Sequence, residues 1–371
     1  MNHEHISLGR REFLGASVLA GAGLTLGTHL MARDKSTSSP ARKRDLKLGF
    51  DNFSIRAFGW KAPQLIDYAA ELEVDTLLMS DLDVYEEQTD AYLAEVRARA
   101  RDKGIELQVG TGGICPSSVR YRKELGKAED HLALTIRIAK ALGSSVARCY
   151  LGSLDDRRQE GGIEPRIRDT IRVLKDVRSQ ALEAGVKIAV ENHAGDLQAR
   201  ELAAMIEDAG PDFVGSTTDS GNATWSLEDP VRNLEVLAPY TVCSGIRDSV
   251  VWEDEKGVVV QWTALGEGVV DLERYFDIFE KHCPDAPVQL EIISGFNRGF
   301  PYLEPGFWNA YPKAVAEDFA AFLALAKRGK PRATFQPPEG VSRAEADRQY
   351  QKAELERSVR YGKEVLGLGR R

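Results

Sequence analysis

Three acidic residues end short aliphatic or β-branched runs that lie far apart along the chain. Glu191 ends the run KIAVE, Asp219 ends FVGSTTD and Glu291 ends PVQLE. A strand that is buried on both faces rarely ends in an ionisable group unless that group points into a site. Because helix-length connections separate the three runs, we predict that the carboxylates meet in one polar site at the mouth of a parallel α/β structure.

The pattern from residue 47 onward alternates between short apolar runs and amphipathic segments. It predicts strands near residues 47–52, 75–79, 105–110, 144–150, 186–191, 213–219, 240–246 and 286–293. It predicts helices near residues 62–73, 87–103, 127–142, 164–184, 197–209, 227–237, 271–282 and 311–328. This repeat indicates an α/β fold, a (β/α)8 TIM barrel over residues 47–330. A doubly wound sheet is the alternative, but the Gly-rich phosphate loop typical of that fold does not follow the first strand.

Two longer segments interrupt the repeat on the side where loops shape a substrate pocket. Residues 250–262 predict a β-hairpin with a charged turn, and residues 295–307 are rich in Gly, Pro and aromatic residues. Residues 331–371 form a charged tail with a helix predicted at 342–365. We expect this tail to pack outside the barrel or to form the subunit contact of a homo-oligomer.

The composition of the 371-residue chain is that of a soluble globular protein, with 43% hydrophobic and 29% charged residues. The net charge is −8 and no long basic block is present, so nucleic acid is not an expected partner. The four cysteines have neither the spacing of a zinc site nor that of a disulfide framework.

The amino terminus has the order of an export signal. Arg10 and Arg11, followed by Phe13-Leu14, precede a weakly apolar run over residues 16–27. This order is similar to a twin-arginine signal peptide, with cleavage after Ala32, so residues 33–46 would be a flexible leader and the mature protein would be periplasmic or extracytoplasmic. The apolar run is too short and Gly-rich for a stable membrane span.

Five motifs follow one another in a familiar order and resemble the xylose-isomerase-like TIM-barrel superfamily of sugar phosphate isomerases and epimerases. They are Val190-Glu191-Asn192-His193, Thr218-Asp219-Ser220-Gly221-Asn222, Ile246-Arg247-Asp248, Leu265-Gly266-Glu267-Gly268 and Leu290-Glu291. The resemblance covers residues 47 to about 330 and implies a divalent metal cation at the barrel mouth.

The resemblance gives Glu191, Asp219 and Glu291 as metal ligands, but it breaks on the seventh strand. Gly245 stands where the family has a histidine, so one donor is lost or replaced. Three carboxylates favour Mn²⁺ or Mg²⁺. His193 could supply the missing nitrogen if the strand continues; alternatively, it is a hydrogen-bonded residue of the rim.

The resemblance implies chemistry at carbon next to a carbonyl. Glu191 and Glu291 would remove and return a proton while the cation stabilises an enediolate, which gives epimerisation or aldose-to-ketose isomerisation. A lyase or dehydratase acting on 3-oxo sugars or glycosides would start with the same step. A barrel that binds carbohydrate without turnover is a further alternative, because the usual histidine is missing.

Further residues are expected to contact the substrate. Asn222 and Trp225 follow the sixth strand, and Arg247 is expected to contact a substrate oxygen while Asp248 orients it. Arg148 is a further candidate, or else a buried arginine paired with an acid of a neighbouring strand. We expect an unphosphorylated sugar or sugar derivative, since the chain combines an export signal with the absence of a phosphate-gripping loop.

Overall fold

The structure is a computed structural model that describes residues 42–370. The predicted signal peptide and residues 33–41 of the predicted leader lie outside the described residues. Export through a twin-arginine signal therefore stays a prediction from the sequence.

Parallel strands arranged in a single barrel form the centre of the described part. In chain order the strands are β1 (Leu48–Asp51), β2 (Thr76–Met79), β3 (Glu106–Gly113), β4 (Val146–Tyr150), β5 (Lys187–Glu191), β6 (Val214–Asp219), β7 (Thr241–Gly245), β8 (Asp248–Asp254), β9 (Gly257–Thr263), β10 (Val288–Leu290) and β11 (Asn297–Phe300). Eight of them follow one another in the order β10-β1-β2-β3-β4-β5-β6-β7, all parallel. A parallel bridge between Ile246 and Leu290 closes the ring, so the predicted (β/α)8 barrel is confirmed.

Helices surround the barrel, and several of them bury apolar residues against it. They are α1 (Ala62–Glu71), α2 (Asp90–Lys103), α3 (Ala128–Leu142), α4 (Leu154–Arg157), α5 (Glu164–Asp176), α6 (Arg178–Ala184), α7 (Ala199–Ala209), α8 (Ser220–Trp225), α9 (Pro230–Leu237), α10 (Leu272–His282), α11 (Ala316–Ala326) and α12 (Arg343–Glu364). In α1 the buried residues include Leu65, Tyr68 and Ala69, as their spacing predicts. Within residues 42–370, none of these helices is both long and apolar enough to cross a membrane.

The interior of the barrel below the site contains a polar layer. Gln289 on β10 donates to the hydroxyl of Thr76 at 2.7 Å and to the side-chain oxygen of Gln108 at 3.2 Å. The thiol of Cys243 also donates to that oxygen. These hydrogen bonds join buried groups of four strands beneath the barrel mouth, and Gln289 Oε1 is left without a partner among the described residues.

The predicted hairpin belongs to a small antiparallel sheet beside the barrel mouth. Strands β8 and β9 pair from Asp248–Thr263 to Asp254–Gly257, and β11 adds to the free edge of β9. Aromatic residues of this sheet and of α8 form a second hydrophobic cluster, which includes Trp225, Trp262 and Phe300. The cluster packs the two long loops together over the site.

The two ends of the described chain pack against the barrel. The predicted flexible leader is corrected at residues 42–46, because Arg44 and Leu46 are fully buried and Arg44 forms ion pairs with Glu273 and Asp277 of α10. The helix predicted in the tail is confirmed as α12. Its Tyr361 lies against Gly266, so the tail supports a loop beside the site.

Candidate active site

The three strand-terminal carboxylates converge as the sequence predicts. One oxygen from each of Glu191, Asp219 and Glu291 lies within 4.8 Å of the others, and all three residues are buried. Glu191 and Asp219 are the last residues of β5 and β6, and Glu291 directly follows β10. The closed barrel brings the ends of these strands together although a hundred residues of chain separate the first from the last.

Two arginines neutralise this cluster. The Nε of Arg148 donates to Glu191 Oε2 at 2.5 Å, and its Nη1 donates to the carbonyl oxygen of Thr111 at 3.0 Å. The Nη2 of Arg247 donates both to Asp219 Oδ2 and, at 2.5 Å, to Glu291 Oε2. Arg148 is therefore the buried arginine paired with an acid of a neighbouring strand, which was one of the two expectations for it.

Asp248 does not form the expected pair with Arg247. Its carboxylate accepts the backbone N–H of the next residue, Ser249, at 2.8 Å, and those of Gly268 at 2.9 Å and Gly266 at 3.1 Å in the loop that leads to α10. The physical reason is direction, because successive side chains of an extended segment point to opposite sides and only Arg247 faces the barrel mouth. Asp248 therefore orders a loop, and its position does not support a direct contact with the substrate.

Asn222 joins two of the acids and holds the β5 loop. Its Nδ2 donates to Glu191 Oε1 at 3.0 Å, its backbone N–H donates to Asp219 Oδ1 at 2.6 Å, and its Oδ1 accepts from the backbone of Ala194 at 3.0 Å. Asp219 thus also caps α8. Asn222 lines the cavity, so its expected role in substrate binding stays a prediction.

His193 lies on the cavity wall and outside the carboxylate cluster. Its Nδ1 is 2.8 Å from the carbonyl oxygen of Gly152, and its ring stacks on Tyr150 with centroids 3.7 Å apart. Burial, with the nearby Arg148, lowers the pKa of His193 to about 4, so the ring is neutral near pH 7. The expectation that His193 supplies the missing metal nitrogen is not met in this arrangement, because the cluster of close ligand atoms contains only the three acids.

A cavity of about 530 Å³ opens above the cluster, which is within the range for small-molecule sites. Glu291, Arg148 and Arg247 line its floor, and Trp225 and Trp262 stack on each other at 3.8 Å on one side. Trp225 lines the cavity, and its expected contact with the substrate stays a prediction.

The sequence reasoning missed part of the opposite wall. The strand predicted near residues 105–110 is longer in the structure, where β3 continues through Gly113 and Thr111 lines the cavity. The hydroxyl of Thr111 is 2.5 Å from the Nε2 of His131 on α3, which lines the same wall. Asp51 ends β1 with a buried carboxylate and was also missed, although an acid at the end of a strand is the signal that identified the other three.

Burial and charge move the pKa values of these acids in different directions. Burial, against the effect of Arg148, raises the pKa of Glu191 well above its usual value, and burial raises those of Asp219 and Asp51 to about 7. Burial acts on Glu291 in the same sense, but Arg247 and Arg148 outweigh it and hold the pKa of Glu291 below its usual value. The two glutamates therefore differ, with Glu291 ionised and Glu191 the stronger holder of a proton.

The donor set can accommodate a divalent cation. Three carboxylates with oxygens this close together suit a hard cation. The seventh strand contributes no ligand, and a Cβ at Gly245 would collide with Asp219 Oδ2, so a larger residue does not fit there while Asp219 keeps its position.

The barrel, the strand-end acids and the loops together define a family. The family model described as xylose isomerase-like TIM barrel matches residues 66–297, more than half of the chain, and the protein belongs to this family.

Individual relatives are distant. The 3-oxo-isoapionate decarboxylase of Pectobacterium atrosepticum is 23% identical over 232 residues, which are 59% of this chain and 77% of that protein. A D-psicose 3-epimerase structure obtained in the presence of D-fructose is 16% identical and covers 87% of this chain and 100% of its own, with a TM-score of 0.56. An IOLI protein structure with a zinc atom is 15% identical and covers 77% and 100%, with a TM-score of 0.52. The structural likenesses establish the fold.

Proposed function

We propose that this protein is a metal-dependent sugar isomerase or epimerase that transfers a proton at the carbon next to a carbonyl. The observation that carries the proposal is the pair Glu191 and Glu291, which have carboxylate oxygens within 4.8 Å of each other and pKa values that move in opposite directions. Glu291 also lines a sugar-sized cavity. An acid and a base close together are what removal and return of a proton require. The likeness to sugar epimerase structures supports the same class of substrate.

Glu291 is the base in this proposal. It is ionised, it lines the cavity, and Arg247 keeps one of its oxygens in place. Arg247 also has donors to offer the developing enediolate oxygen, because its Nε and Nη1 are buried without a hydrogen-bond partner among the described residues.

Glu191 is the proton-holding partner. Its two oxygens are bonded to Arg148 and Asn222, so the return of a proton from Glu191 requires one of these contacts to open. A divalent cation held by Glu191, Asp219 and Glu291, with Mn²⁺ or Mg²⁺ favoured by the all-oxygen donor set, would stabilise the negative charge of the enediolate.

The substrate is proposed to be an unphosphorylated sugar or sugar derivative outside the cytoplasm. The twin-arginine motif at residues 10–14 supports export, and the stacked Trp225 and Trp262 offer an aromatic wall of the kind that packs against sugar rings. Expression with residues 1–32 intact, followed by separation of periplasm from cytoplasm, tests the location.

A decarboxylase or another lyase is the second candidate. The relative from P. atrosepticum supports it, since loss of carbon dioxide from a 3-oxo acid also passes through an enolate. In that reaction Glu191, the acid that holds a proton, would return a proton to carbon after the carboxyl group has left, so the same cluster of acids serves both candidates.

Incubation in heavy water separates these candidates. We expect purified protein with Mn²⁺ to incorporate deuterium next to the carbonyl of one sugar in a panel of ketoses, aldoses, 3-oxo glycosides and 3-oxo sugar acids, followed by NMR. Release of carbon dioxide or of an unsaturated product would instead assign a lyase. Tight sugar binding without any exchange would assign a non-catalytic barrel and overturn the proposal.

A further inference from the structure

Arg247 places one guanidinium nitrogen where Asp219 and Glu291 face each other. Its Nη2 donates to both carboxylates, and both belong to the cluster of close oxygens that suits a cation. We infer that Arg247 and a divalent cation are alternative occupants of this position, so that Arg247 sets how tightly the protein binds metal ions. The inference rests on the proposed carboxylate cation site, but not on the proposed reaction.

Two glycines make room for this arrangement. A Cβ at Gly221 would collide with Cγ, Cδ and Nε of Arg247, and a Cβ at Gly245 would collide with Asp219 Oδ2. Neither glycine has a positive φ, so space rather than backbone conformation is what requires them. Gly245 on β7 therefore does more than remove a metal ligand, because its lack of a side chain lets Asp219 stay in contact with Arg247.

An aromatic stack fixes the guanidinium from its other side. The centre of the guanidinium lies 4.2 Å from the ring of Trp262, whose Nε1 donates to the carbonyl oxygen of Gly221 at 2.8 Å. Trp225 stacks on the far face of Trp262, and Arg298 lies 4.0 Å from Trp225. Arg247 is thus held by ring contact as well as by its two carboxylate partners.

Competition between Arg247 and a divalent cation follows from their like charges and from the fraction of molecules in which the arginine has withdrawn. A divalent cation and a guanidinium at the same oxygens repel each other, so metal binding requires Arg247 to withdraw from at least one acid. The apparent affinity for the metal falls in proportion to the fraction of molecules in which the arginine has withdrawn. Without metal, Arg247 supplies the positive charge that Asp219 and Glu291 need when they are buried together.

Calorimetric titration of the metal-free protein with Mn²⁺ tests the inference. We expect Arg247→Met to bind Mn²⁺ at least about tenfold more tightly than the wild type, because the competing state is gone. Methionine keeps an unbranched side chain against Trp262. Arg298→Met is the matched control, since it removes a positive charge from the other end of the same stack without touching an acid of the cluster, and we expect its affinity to stay within about twofold.

Equal or weaker binding of Mn²⁺ by Arg247→Met would overturn the inference, as would a lack of binding by the wild type and this variant alike. If Arg247→Met does not fold, Arg247→Gln replaces it, because the glutamine amide can still donate to one carboxylate. We again expect tighter binding of Mn²⁺ than by the wild type, and unchanged binding would contradict the inference. A variant that binds Mn²⁺ more tightly while the wild type exchanges no deuterium with any sugar would support this inference and reject the proposed reaction.

Discussion

Glu291 differs from Glu191 in its surroundings rather than in its residue type. Both are buried, and each accepts a hydrogen bond from an arginine at 2.5 Å. Arg247 and Arg148 together outweigh burial and lower the pKa of Glu291, whereas burial and the nearby carboxylates of Glu291 and Asp219 raise that of Glu191. Burial alone would raise the pKa of both residues, so the placement of the surrounding charges decides which glutamate is the base.

Replacement of the base should remove the exchange reaction. We expect Glu291→Gln to lower the rate of deuterium incorporation by about 10²–10⁴-fold, the usual contribution of a general base, while the variant stays folded. The rate is measured by NMR in heavy water at saturating Mn²⁺. Glu267→Gln is the control, because that glutamate pairs with Arg332 and Arg357 away from the cavity floor and its loss should leave the rate nearly unchanged. Exchange at the wild-type rate in Glu291→Gln would remove Glu291 from the mechanism.

For individual residues of the site, the sequence predicted which acids come together but not all of the contacts that they make. Glu191, Asp219 and Glu291 could be predicted because each ends an apolar run, and the barrel brings such ends together. The bridge that Arg247 forms between two of these acids could not be predicted from the sequence, because it depends on the path of a long side chain past Gly221.

Among the elements around the site, the loop between β9 and α10 depends on one buried carboxylate. Asp248 accepts backbone N–H groups from Gly266, Gly268 and Val270, so a single side chain fixes both ends of the turn. Tyr361 of α12 covers the same turn from outside. The charged tail thereby contributes to the shape of the active-site side of the barrel.

Asp248→Asn should destabilise this element. An amide can keep only some of the hydrogen bonds that the carboxylate accepts, and each buried N–H left without a partner costs about 1–3 kcal/mol. We expect the free energy of unfolding in urea to fall by about that amount. The control is Asp254→Asn, whose carboxylate accepts from Lys256 and Gly257 in an exposed turn and whose loss should cost less than about 1 kcal/mol. Equal effects of the two substitutions would contradict the role given to Asp248.

Element boundaries followed from the sequence wherever apolar periodicity was strong. The predicted helix over residues 164–184 is broken in two at Val177, because the amphipathic pattern does not record a local change of backbone angles. The strand Asn297–Phe300 was missed because its sequence, NRGF, has no apolar alternation. It pairs with β9 through the backbone and through Gln261 Nε2, which donates to Asn297 Oδ1 at 2.7 Å.

For the whole molecule, the number of buried acids makes stability depend on pH. Burial raises the pKa of Glu228 and of Asp196 to about 7 and that of Asp248 to about 6. A group whose pKa is higher in the folded than in the unfolded protein contributes stability below its unfolded value and loses that contribution as the pH rises through its folded value. These acids therefore make the fold less stable at pH 8 than at pH 5.

Glu228 provides the test, because it lies outside the carboxylate cluster. Its oxygens accept from the backbone of Ala199, at the start of α7, and from the Nδ2 of Asn233. The Oδ1 of Asn233 has no hydrogen-bond partner within residues 42–370. Glutamine can fill this place, since a rotated Asn233 amide would accept from the new Nε2. The pKa of Glu228, raised by burial from 4.5 to about 7, corresponds to on the order of 3 kcal/mol lost between these pH values. We therefore expect urea unfolding at pH 5 and pH 8 to give a smaller loss of stability for Glu228→Gln than for the wild type. A loss of the same size in both proteins would mean that Glu228 is ionised over the whole range.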